Sequence, residues 1–241
     1  MQESHQNQKK ENVKLSKKIQ WLRLAVQLMF LVMLVAGLYK LVRPIFVIFL
    51  PIALLAGNFF CGWVCPFGTV QEIFGKIGSF FVKKKFKMPP MLQSYLQFSR
   101  YLLAGIILSQ VAETLLDLSN INAYKTFMRA TAGNFAEMTA MAIMGSFLVV
   151  ALFFERPFCN YFCTEGVRFG LASLTRFFTI KREQINCVHC KKCDKACTMN
   201  IQISSSTHIR NPQCINCFKC LTACPVEKAL YWGKANPLSK K

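Results

Sequence analysis

Eight of the twelve cysteines fall in two runs of one spacing: Cys187, Cys190, Cys193 and Cys197, then Cys214, Cys217, Cys220 and Cys224, the last followed by Pro225. C-x2-C-x2-C-x3-C written twice within 38 residues suits a pair of 4Fe–4S cubes. Three thiolates two residues apart wrap one cube, and the fourth, too far along, reaches across to the other. Zinc is the chemical rival, but it takes four ligands per site, commonly as two separated pairs. The geometry therefore assigns Cys187, Cys190, Cys193 and Cys224 to cluster one, and Cys214, Cys217, Cys220 and Cys197 to cluster two. Crossed ligation would lock the halves into a small pseudo-symmetric α+β ferredoxin fold over 181–232. Ile185, Val188, Ile201, Ile203, Ile215, Leu221 and Leu230 are expected to supply its apolar lining. His189, between two ligands, reads as a surface side chain. The first run has Thr198 where the second has Pro225, which bears on turn geometry and not on ligation.

The elements that must position these residues are apolar. The chain of 241 residues is 53% hydrophobic yet carries a formal charge of +19, and its mean hydropathy is positive. That combination points to a membrane protein with a basic face. Ferredoxin spacing implies assembly in a reducing compartment, not an extracellular disulfide framework. Four apolar stretches stand out: Ile19 to Leu41, Ile45 to Phe60, Phe98 to Leu116 and Met138 to Phe154. A bilayer takes about 20 residues. The second stretch holds Pro51 and Gly57 and is expected to be strained or broken. A tight turn near Lys40–Pro44 and a longer loop over 117–136 are expected to join the helix pairs.

Lysine and arginine bias sets orientation. Lys9, Lys10, Lys14, Lys17, Lys18 and Arg23 precede or open the first stretch. Lys76, Lys83, Lys84, Lys85 and Lys87 follow the second, and Arg156, Arg168, Arg176, Lys181 and Arg182 follow the fourth. The other side offers Lys40, Arg43, Lys125 and Arg129. Four spans with both termini and the ferredoxin domain in the cytoplasm fit best, in the inner membrane of a bacterium or archaeon. The basic runs need no role beyond topology and contact with anionic lipid, and nucleic acid is not an expected partner.

The remaining cysteines form two C-x3-C pairs, Cys61 with Cys65 in CGWVCPFG and Cys159 with Cys163 in CNYFCTEG. Each pair closes an apolar stretch, and each is followed by glycine (Gly68, Gly166), an apolar helix, a Phe-Phe pair and a basic cluster. The chain thus reads as a duplication, 19–87 and 98–180. Spacing by four puts both cysteines of a pair on one face of a helical turn. Two such faces together supply four thiolates, enough for a third iron–sulfur cluster or a zinc ion; a redox dithiol and plain packing remain open. The expected fold is a membrane all-α domain (four transmembrane helices as two repeated pairs, 19–180) and a C-terminal α+β ferredoxin-like domain with two 4Fe–4S clusters. A disordered basic tail (1–18) and a loose end (233–241) flank them.

With CGWVCP, a second RPFCNYFC motif and a terminal double ferredoxin run, the chain resembles the polyferredoxin-type membrane iron–sulfur proteins. These include the quinol-oxidising subunit of periplasmic nitrate reduction, the regulator-like protein of nitrous oxide reduction and an accessory protein of cytochrome oxidase maturation. The resemblance covers about residues 20 to 232. It implies electron transfer between a quinone pool or other membrane partner and a dedicated acceptor, as a subunit of an oxidoreductase complex and not as a stand-alone enzyme. The second motif departs from the pattern, with Thr164 after Cys163 in place of proline. An alternative is a maturation factor that reduces a metal ion for another enzyme. Lys191, Lys192, Lys195, Lys219 and Lys228 would steer an acidic ferredoxin or flavodoxin. A quinone site has no motif; Arg100, Glu113 and Glu137 near span ends are candidate proton or headgroup groups, though helix-end residues ordinarily anchor at the interface.

Overall fold

The computed structural model describes residues 2–36, 39–82, 86–108, 123–131, 133, 138–226 and 228–234. Helix α1 runs Gln2–Val35 and α2 Tyr39–Ala56. A π-helical turn, Phe60–Val64, leads into α3, Pro66–Phe81, and then α4, Pro90–Leu108. Next come α5, Ala123–Thr131; α6, Met138–Ala151; α7, Pro157–Tyr161; and α8, Thr164–Ala172. The last part comprises β1, Phe178–Arg182; α9, Lys192–Ala196; α10, Lys219–Ala223; and β2, Leu230–Lys234. The two strands pair antiparallel, Phe178 opposite Lys234 and Arg182 opposite Leu230. They close the cysteine-rich module at its ends, so it extends slightly beyond 181–232.

Several expectations need correction. The polar start is helical from Gln2 and not a loose tail, because it lacks glycine and proline and is rich in the helix formers Gln, Glu and Lys. Helix α2 runs through Pro51 without a break and stops at Gly57, whose φ of +97° only glycine adopts easily. The connection 117–136 holds α5, which packs on α6 and sets Phe127 against Phe67 at 5.2 Å; Asn120, Asn122 and Asn134 lie outside the described residues, as do Glu113 and Glu137. Among the described helices, Lys17–Val35 alone is long and apolar enough to cross a bilayer, and the apolar α6 has 14 residues. The expected third stretch matches α4 to Leu108, and its remainder lies outside the described residues.

Two apolar cores form. In the helical part the aromatic rings of the two repeats interlock: Phe60 stacks on Phe169 at 4.9 Å, and Phe67 meets Phe158 edge-on at 5.2 Å. In the terminal module Ile180, Met199, Ile201, Ile203, Ile209 and Ile215 pack around cysteines. Ile201, Ile203 and Ile215 are buried as expected, and Leu221 and Leu230 are partly so. Ile185 and Val188 are not part of the lining. They are 92% and 64% exposed, Ile185 just before the first cysteine run and Val188 inside it, between Cys187 and Cys190.

The cores touch at Cys61, which packs against both. Gly62 makes this possible: a Cβ there would stand 2.0 Å from the Ile215 carbonyl oxygen. The Trp63 indole N–H donates to the Asn216 carbonyl (3.0 Å), and Gln20 Nε2 donates to the Cys217 carbonyl (2.9 Å). One carboxylate anchors the junction. Glu72 Oε2 accepts from Arg23 Nη2 (2.5 Å) and Arg156 Nη2 (2.7 Å), and Oε1 pairs with Lys219 Nζ at 2.8 Å. It thereby ties α1, α3, the lead-in to α7 and α10 of the terminal module. Burial alone would push this carboxyl up, but Arg156, Lys219 and Arg23 outweigh burial and hold it well below the ordinary carboxylate range.

Arg23, Arg156 and Arg176, counted above as markers of membrane sidedness, are buried. They are internal partners, not solvated flanks. Lys219 is likewise engaged at the junction and is not available to steer a carrier.

Glu72→Gln should therefore leave Arg23 and Arg156 buried without their counter-charge. The expected loss is about 3–5 kcal/mol, read by denaturant unfolding of the detergent-purified protein. Because the depressed carboxyl keeps its charge until strong acid, the loss should not vary between pH 5 and 8. Lys219→Gln, at a side chain 25% exposed, should cost no more than about 1 kcal/mol. Equal effects of the two substitutions would refute the shared-carboxylate account.

Candidate metal centres

The two C-x3-C pairs adopt one local design. Cys65 caps the N-terminus of α3 with φ −58° and ψ 113°, and Cys163 caps α8 with φ −75° and ψ 107°. Each cap sulfur accepts a backbone N–H three residues on, from Gly68 at 3.5 Å and from Gly166 at 3.3 Å. Thr164 fills the first helical position that Pro66 fills in the other half. Proline is merely favoured there, so its replacement leaves the cap unchanged. Cys61 sits in the π turn, its N–H donating to Asn58 Oδ1 (3.1 Å), and Cys159 lies in α7.

The fold brings the pairs together. Gln71, fully buried on α3, donates from Nε2 to Cys159 Sγ (3.4 Å) and accepts the Phe158 N–H on Oε1 (3.2 Å). Arg156 donates from Nη1 to the Cys61 carbonyl (2.8 Å). The four sulfurs are near enough to feel one another's charge. Burial dominates: it pushes the Cys61 thiol up to about 12 and raises Cys65, Cys159 and Cys163, against opposing pulls on Cys61 and Cys159 from Arg156 and Arg100. Without a bound cation these groups stay neutral thiols, so a metal or cluster entering here must displace protons.

Arg100 is not an interface anchor. It is 1% exposed, with Nη2 on the Tyr101 hydroxyl at 2.9 Å. Its Nη1 and the Cys163 sulfur both lie within 3.9 Å of the point where a Gly166 Cβ would be. Tyr124 of α5 also faces Cys65 and Cys163. Sequence spacing exposed neither Gln71 nor this use of Arg100, because both depend on packing between separate helices.

In the terminal module the two cysteine runs share a backbone. His189 and Lys191 in the first, Asn216 and Phe218 in the second, occupy equivalent positions and all have φ between 47° and 57°. Left-handed residues at these sites turn the chain around the space the sulfurs enclose. Cys197 and Cys224 end α9 and α10 with nearly equal ψ, 115° and 120°, so Thr198 in place of a proline leaves the turn intact. Cys197, Cys214, Cys217 and Cys220 line one small apolar cavity, and the Ile201 N–H donates to Cys197 Sγ at 3.4 Å. Cys224 lies near Cys187 and Cys190. Cys193 is buried and donates to Asp194 Oδ1 at 3.7 Å, while Asp194 also accepts the N–H groups of Ile203 and Ser204.

Cys197 thus lies in the cavity of the second run, and Cys224 lies near the first. The second run adjoins the C-x3-C site, since Cys217 and Asn216 meet Gln20 and Trp63, and Asn160 Nδ2 donates to the Thr198 carbonyl at 3.3 Å. All twelve cysteines are free. Among the described residues no three His, Cys, Asp or Glu side chains close on a point that would hold one metal ion. Sulfurs on the corners of a cube stand farther apart than those on one ion, where Zn–S bonds are about 2.3 Å.

Charge gives a second test of fit. Arg100 Nε, Arg156 Nε, and Nε and Nη1 of Arg176 are buried without hydrogen-bond partners. Arg176 faces Cys214, and Arg100 and Arg156 face Cys61 and Cys159. Buried guanidinium groups need an anion. A cube on four thiolates is a net anion, so the residues present fit it.

A family profile described as "4Fe-4S binding domain" matches residues 42–89 and again 137–180, once over each C-x3-C pair. YccM of Escherichia coli K12, which carries an electron-transport name, is 28% identical over 202 residues, 81% of this chain and 56% of its own length. MJ0750 of Methanocaldococcus jannaschii is 31% identical over 182 residues, 74% of this chain and 73% of that protein. The regulatory protein NosR of Pseudomonas aeruginosa is 25% identical over 142 residues, 57% of this chain but 20% of its own length. The chain thus spans little more than half of YccM and a fifth of NosR. No solved structure matches. The motifs repeated in both halves, and a relative aligned over most of both chains, place this chain in the polyferredoxin-type family of 4Fe–4S electron-transport proteins.

Proposed function

We propose that this protein is a membrane-bound electron-transfer subunit with three 4Fe–4S sites. Cys187, Cys190, Cys193 and Cys224 hold the first, Cys197, Cys214, Cys217 and Cys220 the second, and Cys61, Cys65, Cys159 and Cys163 the third. Clusters so bound supply reversible one-electron transfer. The observation that carries the reading is the succession of the cysteine sets. The first is the most open, with Cys190 exposed; in the second Cys197, Cys214 and Cys220 are buried and Cys217 is half-buried; the third adjoins it through the Gly62–Ile215 contact and lies between the helix repeats.

The chain's own residues set the conditions at each site. Arg100 and Arg156 place positive charge beside the third set, and Arg176 beside the second. Gly62, Trp63 and Gln20 hold the second set's loop against the third. The helical part is the membrane anchor, with four spans and the termini on the cytoplasmic side. The membrane-side partner is a quinone pool or a neighbouring redox subunit. At the open end, Ile185, Val188 and Cys190 are exposed, and so are Lys191, Lys192 and Lys195. Exposed lysines on this module suit a small acidic carrier such as a ferredoxin or flavodoxin.

Anaerobically purified protein should contain iron and sulfide for three cubes, about twelve of each. Cys61→Ser and Cys159→Ser, though 98 positions apart in sequence, should each abolish the same low-temperature EPR signal and spare the others. Unaltered spectra in both variants would remove the third site. Arg100→Gln should keep the iron content and lower the midpoint potential of that signal, because the buried cation favours the more negative, reduced state; an unmoved potential would show that Arg100 does not act on it. The rate of reduction by an acidic ferredoxin should fall steeply with ionic strength, and a salt-independent rate would exclude steering by the exposed lysines.

A further inference from the structure

One cavity belongs to none of the cysteine sites. It has a volume of about 560 Å³ and opens between α1, α3 and α10, beside the Glu72 junction. Its wall carries four cations, Lys17, Arg23, Lys76 and Lys219, against the carboxylate of Glu72. Among the described residues neither Lys17 nor Lys76 is in an ion pair. The cavity therefore holds surplus positive charge behind a buried arginine, and its natural ligand is an anion.

A second observation says what kind. Trp21 and Leu24 also line the cavity, and the cavity sits at the start of Lys17–Val35, the stretch long enough to span a bilayer. Trp21, Leu28, Val32 and Val35 recur at steps of seven, four and three, which puts them on one face of α1. All four are exposed. A cationic recess thus runs directly into an apolar stripe down a membrane helix. Trp21 stands where the two meet, the depth at which tryptophan favours the interface.

We propose that this recess binds the phosphate headgroup of one anionic phospholipid, with an acyl chain lying along the Trp21–Val35 stripe. The bound lipid touches α10 of the ferredoxin module through Lys219 and α1 through Lys17. It therefore adds a clamp between the module and the membrane helix, next to the one Glu72 provides. The inference rests on the membrane reading above.

The test uses full-length protein with its clusters, reconstituted in phosphatidylcholine nanodiscs with or without phosphatidylglycerol and released for native mass spectrometry. Wild type should retain one phosphatidylglycerol in preference to phosphatidylcholine. Lys17→Gln/Lys76→Gln, with cluster absorbance unchanged, should bind it roughly 30-fold more weakly, as the loss of two lysines at an anionic headgroup predicts. Equal retention by the variant, indifference to headgroup charge, or displacement by millimolar inorganic phosphate would each overturn the lipid site, the last pointing to a soluble anion. If the protein fails to float with vesicles of either composition, the membrane reading itself is lost, a result distinct from floating without lipid preference.

Discussion

One carboxylate governs how this molecule holds together. Glu72 is the common acceptor for Arg23, Arg156 and Lys219, which come from α1, the start of α7 and α10. Two of these cations are almost wholly buried, and buried charge is tolerated only when paired. The helices and the ferredoxin module are therefore fixed relative to each other by an electrostatic requirement as well as by packing. Around this point the backbones approach as closely as glycine allows. Gly62 lies on the Ile215 carbonyl, and Gly78 packs on the carbonyl of Leu152, where a Cβ would come within 1.9 Å.

The same accounting of charge explains the other buried arginines. Arg100 and Arg176 have no acidic partner among the described residues, and several of their N–H groups make no hydrogen bond. In most proteins such groups would be serious defects. Here each faces a set of sulfurs whose thiols are held neutral by burial, so cation and ligand set are each incomplete alone. An anionic cluster, as proposed, would complete both. The orphaned guanidinium groups and the raised thiols are two sides of one arrangement.

Repetition appears at two scales and uses different means. In the ferredoxin module, paired left-handed residues at matching positions shape both cysteine loops. In the helical part, cysteine N-caps with glycine three residues on shape both C-x3-C turns. In each case a proline expected from the motif is replaced in one copy, by Thr198 or Thr164, and the backbone angles do not change. The conformation is set by the sulfur–amide bonds and the turn residues, and proline merely suits it.

Cysteine spacing determined by itself which chemistry this chain could support, because ligand number and reach along a short loop are local properties. The repeated C-x3-C motif was legible for the same reason, and the family profile falls once on each copy. What only the tertiary structure decided is the use of charge. Lys and Arg counts read as membrane sidedness cannot tell a solvated flank from Arg23, Arg156 or Arg176 in the interior, because burial depends on which helices meet. The apolar letters of Ile185 and Val188 likewise could not show that their loop faces outward. That Glu72, Gln71 and Arg100 organise the junction and the sites follows from contacts between residues distant in sequence, on which no local pattern reports.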